Sequence, residues 1–252
     1  MSDPTGPTRL PSLAEMNERV KEAVILAGAC FLASFPLMYD QVPAMMAPQL
    51  LAPLTPDQTL NYVLYHVLLI FAAALLCALV GFLYSPRLQL PGLGDWKRER
   101  RWLPLYLLAG LAVVPVSYYL IDAELRRRLP GYFPESVLWA LGHTLGRTLA
   151  PEVIARFGMT TIAVYLVRWL GGKGHPWPAV LAVALFGAVG SWIAQGRLGL
   201  QPGLNLFTLT GVGLAFGSNL VFGEIYLRRG LWVVLAVRLG IELKYPIYVL
   251  LG

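Results

Sequence analysis

The chain of 252 residues is long enough for one or two soluble domains, but its composition excludes that class. Charged residues make up 13% of the chain, where a soluble domain carries about a quarter, while 57% are apolar and the mean hydropathy is +0.61. The expected fold class is all-α, a polytopic transmembrane helical bundle. The net charge of +6 comes from basic residues that flank apolar runs instead of lining a polar face, which argues against nucleic acid as a partner.

In chain order, residues 1–21 form a polar N-terminal segment without an apolar core of signal-peptide length, so the first span itself is expected to direct membrane insertion. A Ser12-Leu-Ala-Glu15 capping box predicts a helix start, and the segment is a candidate interfacial helix. Residues 22–252 read as a single transmembrane domain. A helix needs roughly 20 apolar residues to cross about 30 Å of hydrocarbon. Candidate spans lie near 22–39, 60–84, 102–121, 136–170, 178–196, 204–226 and 231–250. The fourth is too long for one plain crossing and contains Gly142, Gly146 and Pro151, so the count is seven, or eight if this stretch crosses twice.

Between the first two spans, residues 40–59 are Pro-rich and carry no basic residue, which suggests a re-entrant or interfacial segment. Residues 85–101 form a Pro/Gly turn leading into Trp96 and a basic cluster at headgroup level. With the N-terminus cytoplasmic, the inner connections hold Arg9, Arg19, Lys21, that cluster, Arg168, Lys173, Arg228 and Arg229; the outer ones hold Arg126, Arg127, Arg128, Arg197 and Lys244. This bias favours a multi-pass protein of a plasma or inner membrane with its N-terminus inside. Trp102, Tyr118, Tyr119, Tyr132, Trp177, Tyr245 and Tyr248 read as interface belts. Cys30 and Cys77, both in apolar runs, read as packing residues.

Arg147, Glu152, Arg156, Arg238 and Glu242 lie inside spans, where an unpaired charge costs about 2.5–3.5 kcal/mol even on a lenient scale. Glu152 with Arg156 and Arg238 with Glu242 have i,i+4 spacing, so each pair shares a helix face. One arginine is left over, for Glu224 or a ligand anion to balance. The set reads either as a polar site at membrane depth or as an ion-pair clasp between helices. Of the three histidines, His175 reads as a solvated turn residue, while His66 and His143 reach a neighbouring helix or ligate a haem or chlorophyll metal. Gly142-x-x-x-Gly146 and Gly213-x-x-x-Gly217 predict close helix approach, internal packing being favoured over dimerisation.

The stretch Ala150-Pro-Glu-Val-Ile-Ala-Arg156 resembles the Glu-Glu-x-x-x-Arg motif of the CAAX protease and bacteriocin-processing family of intramembrane proteases. Phe186-Gly-Ala-Val-Gly190 is similar to its Phe-x-x-x-His motif. The run from Gly223 through Arg229-Gly-Leu-Trp232 to Arg238 is similar to its third region, which ends in His-x-x-x-Asn. The resemblance covers about residues 100–250 and implies a CAAX-protease-like fold with a site at these positions. Glu152 and Arg156 match, whereas Pro151 replaces the first glutamate, Gly190 and Arg238 replace the histidines, and Glu242 replaces the asparagine. An arginine, with a pKa above about 12, cannot take a proton from water. Zinc needs protein ligands that Gly190 and Arg238 do not supply.

The expected function is therefore a non-catalytic member of that fold, an accessory or binding subunit whose partners are membrane lipid and another membrane protein or an amphiphilic ligand. The alternatives are an active intramembrane endopeptidase using Glu152 with a relocated histidine, His143, and a pigment- or haem-associated subunit. No cofactor is expected on the first reading; zinc, haem or chlorophyll ligation belongs to the alternatives.

Overall fold

The computed structural model describes residues 12–46, 54–129, 133–171, 176–197 and 206–251, and these are helical with no strand among them. Six helices are long and apolar enough to cross a membrane. They are α1 (Leu13–Met46), α2 (Pro56–Tyr84), α4 (Leu103–Arg128), α5 (Val137–Trp169), α6 (Trp177–Arg197) and α7 (Leu206–Arg229). The short α3 (Trp96–Glu99) precedes α4, and α8 (Leu231–Glu242) and α9 (Lys244–Leu251) follow α7.

The capping box works in both directions: Ser12 N–H donates to Glu15 Oε2 at 2.7 Å and Glu15 N–H to Ser12 Oγ at 3.2 Å. The helix it opens does not stop before the first span but continues as α1 to Met46, entering the segment expected to be re-entrant. A second box at Thr55 and Gln58, with Pro56 in the first turn, starts α2. Residues 47–53 lie outside the described residues.

The long stretch around Pro151 is one continuous helix with a change of register. Pro151 has no N–H to give the preceding turn, and directly after it the chain runs as a π-helix from Val153 to Thr160 before α geometry resumes. The Thr160 hydroxyl donates to Ala155 O, five residues back, at 2.9 Å. Proline therefore shifts the register and leaves the helix intact. The last expected span behaves differently: α8 and α9 are separate helices broken at Leu243.

Lipid tails are as apolar as leucine, so small residues that allow close contact, more than exclusion of water, bring these helices together. Ala27, Ala74 and Ala78 are fully buried in the main core with Phe157, Phe222, Tyr226 and Leu231. Gly81 lies under the Phe157 ring, Gly158 against Cys77, and Gly110 of α4 faces Gly240 of α8 so closely that a methyl on either would strike the opposite backbone. Gly142 and Gly146 meet Pro36 and Ala33 of α1, as internal packing predicts. Gly213 and Gly217 do not follow suit, because nothing lies within 4 Å of where their side chains would be. The reversal between α7 and α8 turns at Gly230 (φ 89°), where Leu231 and Trp232 N–H donate to Gly92 and Leu93 carbonyls at 3.0 Å.

Tyr245 and Tyr248 are buried, not belt residues, because α9 turns them inward onto Val114 and Phe133. Trp102, Tyr119 and Trp177 are exposed, as anchors should be. Tyr132 and His175 lie outside the described residues.

Candidate functional site

The register shift at Pro151 places Glu152 at the end of the first part of α5 and Arg156 inside the π segment, both almost fully buried. Arg156 Nε donates to Glu152 Oε2 at 3.1 Å, and its Nη2 donates to Asn219 Oδ1 of α7. Asn219 is in turn anchored through Nδ2 to Ala215 O at 2.7 Å and presses on Gly187 of α6, where any side chain would collide with it. From α8, Arg238 pairs with Glu242 at 2.7 Å and lies close enough to Arg156 for their charges to repel. Both expected i,i+4 pairs therefore form, from helices that meet around one centre. Arg156 Nη1, Arg238 Nε and Glu242 Oε2 are buried with no hydrogen-bond partner among the described residues, which leaves capacity for water or a small polar ligand.

The charge balance differs from expectation in its third acid. Glu224 is not available to the centre, because it pairs with Arg228 in its own helix. Asp40 of α1 is a further carboxylate, but its partner is His143, whose Nε2 donates to Asp40 Oδ2 at 2.7 Å. Arg147 lies over the Tyr245 ring at 5.0 Å. Thr144 adds a neutral clamp, its hydroxyl donating to Glu242 O at 2.9 Å and so joining α5 to α8.

A second buried cluster had no sequence signature. Lys244, expected in an outer connection, is buried and donates to both Asp122 oxygens at 2.9 and 2.8 Å. The Ser117 hydroxyl donates to Asp122 at 2.5 Å and the Tyr248 hydroxyl at 3.0 Å. Residues more than 120 apart in sequence meet because α9 folds back on α4. Asp122 therefore does not balance the neighbouring arginines, of which Arg127 and Arg128 pair with Glu124 instead.

Histidine and Glu152 are not brought together. His143 and Glu152 are nine residues apart in the α-helical part of α5, about 13 Å along its axis, and each has a different partner. Gly190 and Phe186, the counterparts of a family histidine motif, lie on an exposed face of α6. Among the described residues no three His, Cys, Asp or Glu side chains gather as metal ligands. His66 differs in kind: its Nδ1–H donates to Tyr62 O at 2.7 Å, which fixes the tautomer with the Nε2 lone pair free to accept a metal. His143 is fully enclosed, with Nδ1 buried and without a hydrogen-bond partner among the described residues. Asn219 and Asp40 were missed in sequence, although a carboxamide inside an apolar span and an acid at the end of one were both visible.

Comparison with protein-family models, with curated proteins and with solved structures finds no match to this chain.

Proposed function

We propose that this chain is a non-catalytic membrane protein of CAAX-protease-like fold that serves as an accessory or binding subunit for another membrane protein or an amphiphilic ligand. It crosses the membrane seven times, α8 and α9 together making the last crossing, with its N-terminus cytoplasmic. One observation carries the reading: the Glu152 carboxylate is committed to a buried guanidinium, and neither described histidine stands beside it. A carboxylate held in an ion pair with a group that cannot release a proton is a poor base for activating water. The paired charges instead neutralise one another within α5 and within α8 at a depth where any one alone would be costly, and Arg156 also ties α5 to α7 through Asn219. In mild detergent the purified protein is expected to leave prenylated and transmembrane peptides uncut and to retain a stoichiometric membrane-protein neighbour or bound amphiphile. Cleavage that disappears in Glu152→Gln would overturn this.

His66 supports a second reading, a haem- or chlorophyll-associated subunit, because its free Nε2 lone pair sits on a partly exposed face of α2. An absorption band in gently solubilised native material that vanishes in His66→Ala would favour it.

A further inference from the structure

A groove of about 760 Å³ opens between α4, α5 and α8. Leucines line it: Leu103, Leu107 and Leu108 from α4, Leu145 and Leu149 from α5, and Leu239 from α8. Thr148 also faces it, but its hydroxyl is donated to Thr144 O at 2.7 Å, so the wall offers apolar surface and no free donor there. At one end stand Trp96 and Trp232, with ring centres 5.2 Å apart, and Arg100. From Trp232 to Leu239 the groove follows two turns of α8, about 10 Å, enough for the upper part of an acyl chain. Its volume lies within the range of ligand sites.

The charges at this mouth are uneven. Glu99 is fully buried and already holds Arg98 at 2.7 Å and Arg229 at 3.3 Å, with the Tyr106 hydroxyl at 2.9 Å. Asp95 caps α3 by accepting from Arg98 N–H at 3.2 Å. Lys97, Arg100 and Arg101 are exposed and make no ion pair among the described residues. Three uncommitted cations, tryptophans at headgroup level and an apolar groove running inward from them match the two ends of one molecule.

We infer that this groove seats one anionic phospholipid, its acyl chain along the leucines of α4, α5 and α8 and its phosphate on Arg100 and the adjacent cations. This deepens the amphiphile-binding side of the proposed function and rests on it, but does not depend on whether Glu152 cuts peptide. A partner helix in the same groove would need apolar surface alone and would leave the cations unanswered.

The test uses the full chain in nanodiscs containing brominated phosphatidylglycerol or brominated phosphatidylcholine at equal mole fraction, read by tryptophan quenching. Phosphatidylglycerol is expected to quench more, and the excess should be lost when Trp96 and Trp232 are both replaced by Phe. Arg100→Gln with Arg101→Gln should weaken retention of the anionic lipid roughly thirtyfold in native mass spectrometry, taking two charges at about 1 kcal/mol each. Leu108→Trp, at an exposed position that tolerates bulk, should displace the lipid without unfolding the protein. Equal quenching by the two lipids, or full retention in both variants, overturns the inference. A protein neighbour captured while lipid binding fails would sink the lipid site and leave the accessory reading standing.

Discussion

Glu152 and Arg156 show what a single buried pair is worth. Replacing Glu152 with Gln leaves the buried Arg156 charge without its acid, and a loss of about 3–5 kcal/mol is expected in denaturant titration of the detergent-solubilised protein. Replacing both, Glu152→Gln with Arg156→Met, should recover most of that loss. An unchanged midpoint in the single variant would mean that the pair is hydrated and not structural. Glu99 makes a separate prediction outside the spans. Burial pushes its carboxyl up, but hydrogen bonds from Arg98 and Tyr106 and the charges of Arg98 and Arg229 outweigh this and hold it below the usual range. Its folded pKa is thus lower than its unfolded one, so its contribution is present above the unfolded carboxylate pKa and is lost as pH falls through the folded value. Thermal midpoints of wild type and Glu99→Gln should converge as the pH is lowered below the carboxylate range and separate near neutrality.

At the scale of elements, glycine decides which helices touch and where the chain turns. Gly230 needs its positive φ, and a methyl there would lie 2.5 Å from Gly94 Cα. Gly230→Ala should therefore cost at least about 1–2 kcal/mol, visible as a lower melting temperature, and should loosen the hold of the Gly92–Leu93 carbonyls on α8. The two Gly-x-x-x-Gly motifs make opposite forecasts. Gly146→Leu would drive a side chain into Ala33 O and Leu37 and should abolish a stable fold. Gly213→Leu enters open space and should leave the melting temperature of the monomer unchanged. The same four-residue spacing thus carries different meanings, because a motif states that close approach is permitted and not which neighbour makes it.

For the molecule as a whole, the number of crossings is the property with the widest consequences. If α8 and α9 together cross, a cysteine at Leu250 is labelled by an impermeant maleimide from the side opposite to one at Lys97; labelling of both from the same side would reduce the crossings to six. The break at Leu243 is where such a crossing is weakest, and the buried Asp122–Lys244 bridge beside it holds α9 against α4. That bridge also explains how a lysine enters the bundle: it arrives with an acid, two hydroxyls and the apolar body of Tyr245 around it.

The apolar runs were enough to establish helices, a membrane and the position of most spans, because in hydrocarbon a backbone must satisfy its own hydrogen bonds and a helix does so locally. The two i,i+4 ion pairs were legible for the same reason, since helical geometry alone places four-residue neighbours together. What was not legible were pairings between helices: His143 with Asp40, Arg156 with Asn219, and Lys244 with Asp122. The rotation and register of a helix about its own axis are set by which small residues let which neighbours approach, and after Pro151 by a π turn that shifts every later side chain. Composition determined that this chain is a helical bundle in a membrane, while tertiary packing alone decided which polar and charged side chains of different helices face one another.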